Sequence, residues 1–389
     1  MFTRRISCGL LVWSWTALAG FSSAGAAVPA EVGRSIKAIT AVGPEGRGNS
    51  EATAAFKKLS TSDVSALPSI LTALNGTNDL AANWLRSAVE SIASRELAAG
   101  HALPVAELEK FLARTSNSAR ARRLAFELID QVDHPKAEKL IAAMVNDPGS
   151  ELRRDAVGRV MARAAKLLAE GKKSEAKATY QELLTSARDV DQVDDIAKNL
   201  RTLGDNVDLA KTFGFVTQWK VVGPFDSVGG KGFAAVYPPE EKIDPAAEYM
   251  GKTAKVHWQD FTSKDEYGNV SMNLPYTQLK GVAAYAYSDF VSEKRQSAEI
   301  RIGSQNAFKV WLNGKFLFGQ EEYHRNKAVD QYRINASFQP GLNVILVKVC
   351  QNEQTEDWAS DWDFQLRVCD PAGAPLRSAA AVGATGGKL

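Results

Sequence analysis

Ala298-Glu299-Ile300-Arg301-Ile302, Phe308-Lys309-Val310-Trp311-Leu312-Asn313-Gly314-Lys315 and Gly341-Leu342-Asn343-Val344-Ile345-Leu346-Val347-Lys348 decide the fold of the C-terminal half. In the first run, Ala298, Ile300 and Ile302 fall on one face of an extended chain, while Glu299 and Arg301 fall on the other. Phe364, Leu366 and Val368 alternate in the same way with Gln365 and Arg367. Asn313-Gly314 is a hairpin turn signal, because both residues tolerate positive φ. Around these runs, the strand candidates are Val216–Val222, Lys255–Trp258, Val270–Asn273, Val282–Val291, Tyr332–Phe338 and Trp362–Val368. Short strands recurring about every ten residues predict an antiparallel β-sandwich or barrel.

Upstream the composition changes. From Ile36 to Leu209 the chain is rich in Ala, Leu, Lys, Arg and Glu, and apolar residues recur at helical spacing: Leu67, Ile70, Leu71, Leu74, then Leu124, Leu128, Ile129. Leu108, Leu112, Ser118, Arg122, Ala125 and Leu128 recur 32 residues later as Leu140, Met144, Ser150, Arg154, Val157 and Val160. One helix pair cannot bury its apolar face alone, so such units are expected to stack. An irregular helical bundle is the competing arrangement. Arg114, Arg120, Arg122, Arg123, Arg153, Arg154 and Arg159 are interleaved with Glu107, Glu109, Glu127, Asp130 and Glu151. They read as a solvated face laced with pairs one helical turn apart, in preference to a basic ridge.

The N-terminus follows the order of an export signal: Arg4-Arg5, an apolar run from Ile6 to Phe21, then Ser22-Ser23-Ala24-Gly25-Ala26-Ala27. The run is shorter than the ~20 residues a membrane span requires. Cleavage near Ala26 or Ala27 would leave an exported, periplasmic or extracellular protein with no membrane span; whether the route is general secretory or twin-arginine stays open. The expected organisation is a signal at 1–27, helical repeats at 28–212, a sandwich at 213–376 and a disordered tail at 377–389.

Several function classes are disfavoured. A net charge of +2, without a block of basic residues, gives no footprint for nucleic acid. Four histidines, none paired at metal spacing on one element, and three cysteines offer no zinc site. Nucleophile-elbow, phosphate-loop and His-Glu-x-x-His motifs are missing, so no enzyme activity and no cofactor is expected. The acids of the Glu353–Asp363 loop read as a solvated loop ahead of a structural calcium site.

The three opening segments resemble the galactose-binding-domain-like jelly roll, the sugar-binding module of many glycoside hydrolases and of free carbohydrate-binding modules. Gly214-Phe215, Trp219-Lys220-Val221-Val222-Gly223-Pro224-Phe225-Asp226, Gly232-Phe233 and Tyr237-Pro238-Pro239-Glu240 resemble modules of bacterial exported proteins. Asp147-Pro148 with Arg153-Arg154-Asp155-Ala156 resembles HEAT repeats, and Ala165, Leu168, Gly171, Ala176 and Tyr180 resemble a tetratricopeptide unit. These resemblances imply an α-solenoid-like helical repeat followed by a jelly-roll sandwich. They also imply a binding role: a carbohydrate or cell-envelope glycan on the sandwich and a protein partner on the helices. The competing roles are a protein-interaction scaffold whose sandwich is purely structural, and a non-catalytic subunit of an exported enzyme complex.

Ligand-binding candidates come from two loops. Trp358 follows three polar residues and precedes Ala359-Ser360, so no apolar run claims it for the core. With Asp357 and Asp361 it combines an apolar platform and hydroxyl acceptors, the pairing a sugar ring needs; the competing reading is that the indole folds back and closes the edge of the sandwich. Tyr323, in the polar Gln320–Lys327 loop, is read as exposed and joins them. Trp362 heads the last strand and reads as core. If Leu342–Val349 and Trp362–Val368 form a hairpin, Cys350 and Cys369 lie at opposite ends, roughly 24 Å apart, and stay separate thiols.

Overall fold

The computed structural model describes residues 29–379, so the signal reading at 1–27 and most of the tail lie outside the described residues. The chain combines N-terminal helices with C-terminal antiparallel sheets, and it divides into two compact units at Leu128/Ile129. No helix of the described residues is long and apolar enough to cross a membrane.

The first unit holds α1 (Ala30–Thr40), α2 (Asn49–Leu59), α3 (Leu67–Ala73), α4 (Asp79–Ala98), α5 (Val105–Ala113) and most of α6 (Ala119–Val132). Local chemistry sets the helix starts. Asn78 Oδ1 accepts from Ala81 N at 2.9 Å and so caps α4, an arrangement that typically contributes about 1 kcal/mol. Arg86 and Arg123 pair with Glu90 and Glu127 one turn away, as the charge pattern predicts.

The second unit opens with α7 (His134–Ala142), α8 (Ser150–Ala169), α9 (Lys173–Ser186), α10 (Val190–Thr202) and α11 (Leu209–Phe213). Burial recurs along four helices. The third, fourth and seventh residues of α4, α6, α8 and α10 are all buried: Ala81, Ala82 and Leu85; Ala121, Arg122 and Ala125; Leu152, Arg153 and Ala156; Gln192, Val193 and Ile196. Arg122 and Arg153 are each the fourth residue of their helix, α6 and α8. Arg122 and Arg153 are 2% and 4% exposed, and each donates to a carbonyl, Leu112 O at 2.7 Å and Asp147 O at 2.8 Å. Arg154 is exposed and pairs with Asp191.

The strands of this unit are β1 (Gln218–Asp226), β2 (Glu248–Met250), β3 (Lys255–His257), β4 (Gln259–Thr262), β5 (Val270–Ser271), β6 (Val282–Ser292), β7 (Gln296–Ser304), β8 (Ala307–Leu312), β9 (Lys315–Gln320), β10 (Tyr332–Phe338), β11 (Gly341–Gln351), β12 (Asp363–Cys369) and β13 (Pro375–Leu376). One sheet has the order β4-β1-β6-β11-β8-β9; a second runs β10-β7-β12-β13, with β5 also on β12. Asn313 (φ 53°) and Gly314 (φ 76°) make the expected two-residue turn between β8 and β9. β11 and β12 are not a hairpin: β11 lies between β6 and β8, while β12 pairs with β7, in the other sheet.

Ile300, Ile302, Ile345, Val347, Trp362, Phe364 and Leu366 share one core, to which both sheets contribute. The other face of the six-stranded sheet is also covered. There Phe225, Tyr249, Trp258, Tyr285, Tyr287, Trp311 and Cys350 form a second cluster with Phe233, Tyr237 and Ile243. On the opposite face of β7 and β12, Arg301, Gln365 and Arg367 are buried and Glu299 half-buried, because α11 and the loops at Tyr267 and Val329 pack with the chain there; Phe213 and Phe215 join Leu200 and Leu209. Residues 377–379, expected in the tail, are held: Arg377 Nη2 donates to Lys211 O at 3.0 Å and Ala379 N to Val291 O at 3.0 Å.

Cys350 and Cys369 are free and buried in different sheets. Burial raises both thiols, Cys350 to about 12. With Cys8, which lies outside the described residues, removed or replaced, the folded protein should therefore leave a disulfide-exchange reagent such as 5,5′-dithiobis(2-nitrobenzoate) unreacted for hours at pH 8. Its intact mass should be unchanged by reductant. A rapid stoichiometric colour change in the native protein would contradict this burial.

Candidate functional site

The loop between β11 and β12 carries two tryptophans with opposite placements. Trp362 is fully buried, and its indole N–H donates to Val349 O at 3.2 Å. Trp358 is 60% exposed on a single 3-10 turn, Asp357–Ala359. The turn is braced from below. Ala359 O accepts from Lys280 Nζ at 2.7 Å and Gln351 Nε2 at 3.1 Å. Asp361 O also accepts from Gln351 Nε2, at 3.0 Å, and Ser360 O from Asn273 Nδ2 at 2.9 Å. Three side chains from outside the loop thus hold its backbone, so the indole is displayed on a fixed support.

His324 stands beside it. Its ring centroid is 5.3 Å from that of Trp358 and nearly perpendicular, at 86°. Its Nε2 lies 2.7 Å from Asn352 Oδ1. Asn352 Nδ2 is directed at Gln354 Oε1, 2.9 Å away, so Oδ1 is the acceptor facing the imidazole. That network assigns the hydrogen to Nε2. Nδ1 is left as an acceptor, buried and without a partner.

The other candidates are placed differently. Asp357 shares the Trp358 turn and is exposed. Asp361 accepts from Gln305 Nε2 at 3.0 Å. Tyr323 is not the exposed ring expected from its polar neighbours. It packs against the cluster of Phe225, Tyr285 and Cys350, its hydroxyl is buried without a partner, and burial holds that hydroxyl well above the ordinary tyrosine range. Sequence reasoning missed His324, Gln351, Lys280 and Asn273; only the fold brings them to the loop.

The arrangement offers an apolar face edged by acceptors, suited to the C–H face and hydroxyls of a sugar ring. Among the described residues no group of three or more His, Cys, Asp or Glu is placed to hold a metal ion.

No family model and no curated protein matches the chain. Part of it is similar to a solved structure of a β-glucosidase from Kluyveromyces marxianus in complex with glucose. The identity is 9%, the TM-score 0.25, and the match covers 39% of this chain and 16% of that one. A GH31 α-xylosidase from Xanthomonas citri is similar at 9% identity and TM-score 0.19, over 40% of this chain and 16% of that one. The chain therefore spans less than a fifth of the length of either protein, and at these scores neither likeness carries an argument about fold or activity.

Proposed function

We propose that this is an exported, non-catalytic binding protein. Its C-terminal sheets act as a jelly-roll sandwich that binds a glycan at the Trp358 turn, and its helices act as a solenoid-like surface that docks a protein partner. The observation that carries the reading is the exposed Trp358 indole on a turn braced by Lys280, Gln351 and Asn273. An exposed indole costs apolar hydration, and a rigid one loses little conformational freedom when a sugar stacks on it. The exposed Asp357 carboxylate supplies an acceptor beside it. A neutral hydroxylated ligand fits this donor-poor rim.

Trp358→Ala should abolish retention on insoluble polysaccharides or in affinity gels. It should move the melting temperature by less than about 2 °C, because an exposed side chain adds little to stability. Loss of several degrees, with no retention by either protein, would mean that the indole merely closes the loop.

A further inference from the structure

A second candidate site lies on the covered face of the six-stranded sheet, away from the Trp358 turn. A groove of about 360 Å³ crosses three strands there, at the small end of the roughly 300–1,000 Å³ typical of ligand pockets. Strand register builds its floor. Tyr287, Leu346 and Trp311 stand side by side on β6, β11 and β8. One step along, Asp289 lies opposite Val344, which exchanges hydrogen bonds with Asn313 at 2.9 and 2.8 Å. The wall is the 239–245 segment, whose Glu240 is fixed by Lys348 Nζ at 2.7 Å and by Tyr285 OH at 2.5 Å. The groove is thus preformed.

Its lining carries three carboxylates, Glu240, Glu241 and Asp289, against one ammonium, Lys242. Glu240 is neutralised by Lys348. Lys242, also on the wall, is exposed and 3.8 Å from Asp244. Glu241 and Asp289 are exposed at the rim and form no ion pair within 4 Å among the described residues, although Asp289 also feels the charge of Lys220. An aromatic floor attracts cations through its ring faces, and two unpaired carboxylates add to that attraction.

We infer that this groove binds a small organic cation: one aromatic or alicyclic ring system carrying an ammonium or guanidinium group. The volume admits a single ring system, the floor takes the ring, and Glu241 and Asp289 take the charge. This inference does not rest on the Trp358 reading.

The test is calorimetric titration of the full chain at low ionic strength with three probes: tryptamine, indole and indole-3-propionate. Tryptamine should bind at least tenfold more tightly than indole-3-propionate, with indole between them. The double variant Glu241→Gln/Asp289→Asn should weaken tryptamine about tenfold and leave indole unchanged. Val344→Phe, which fills the floor with an apolar ring, should abolish all three, with circular dichroism confirming the fold. Trp358→Ala should bind tryptamine as the parent does. No measurable tryptamine binding at millimolar concentration, equal affinity for the three probes, or indifference to the double variant would each overturn the assignment.

Discussion

Replacing Asp330 with asparagine should cost about 3 kcal/mol of folding stability, and replacement with alanine more, within the ~3–5 kcal/mol expected when a buried ion pair loses one partner. Arg301 and Arg367 stand directly opposite each other on β7 and β12, and are 6% and 2% exposed. Two guanidinium groups in such a setting repel and lack water. Arg301 has one carboxylate in Glu299, whose Oε2 accepts from its Nε at 2.9 Å, and Asp330 serves both arginines. Its Oδ2 accepts from Arg301 Nη1 and Arg367 Nη2, both at 2.6 Å, and its Oδ1 from Arg367 Nε at 2.7 Å. Arg367 then reaches Phe213 O at 3.2 Å, tying the end of α11 to the sheet. Asparagine isolates the charge, because it tolerates the left-handed backbone at this position (φ 59°) that alanine resists. Burial alone would raise the Asp330 carboxyl, but the hydrogen bonds and charge of Arg367, with Arg301, hold it below the usual range. Its contribution is therefore complete above the unfolded carboxylate value, about 3.9, and is lost as pH falls through the lower folded value. In urea titrations the gap between parent and Asp330→Asn should be flat from pH 8 to 5 and shrink below about pH 4. A gap under 1 kcal/mol at neutral pH would mean that the arginines find other partners.

These arginines also show where reading by alternation stops. The period-two runs at Ala298–Ile302 and Phe364–Val368 correctly identified strands with one apolar face. Alternation cannot say whether the other face meets water. Here it meets α11 and two loops, so the polar residues are inside and paired. Apolar strands were legible for the same reason: β6, β8, β10 and β11 lie close to their expected bounds. Four strands were missed: β2 and β13 are only three and two residues long, and β4 and β9, the edges of the six-stranded sheet, bury little, so no apolar period marks them. Strand order was illegible too, since β11 and β12 are neighbours in sequence but belong to different sheets. In the site, Trp358 could be found because nothing apolar surrounds it in sequence. His324 could not, because its contact with Trp358 depends on two loops meeting in space. In the helices the adjacent Arg153 and Arg154 look alike in sequence, and only burial separates them.

The second large effect should come from Lys348. This residue is fully buried on β11, and its ammonium donates to Ala235 O at 2.6 Å, Phe233 O at 3.3 Å and Glu240 Oε1 at 2.7 Å. The rings of Tyr237 and Tyr285 flank it at 5.3 and 5.5 Å. One side chain thus clamps the Gly232-Phe233 and Tyr237–Glu240 motifs onto the sheet, which gives those sequence features a structural role. Lys348→Met keeps most of the volume but leaves the Glu240 carboxylate with Tyr285 OH alone and frees two carbonyls, so a loss of about 3–5 kcal/mol is expected. Glu240→Gln leaves the buried ammonium with neutral acceptors only and no counter-charge, and should lose about 2–4 kcal/mol. The double variant removes both charges, so its loss should fall short of the sum by more than 1 kcal/mol. Additive losses would show that the two groups act separately. The same cycle bears on the groove, because Glu240 holds its wall. Lys348→Met should weaken tryptamine binding although Glu241 and Asp289 keep their charges, whereas the double variant, with a neutral and better-packed anchor, should recover part of it. Stability and binding would then fall and recover together, as they must if one buried pair both fastens the 228–243 segment and shapes the groove it encloses.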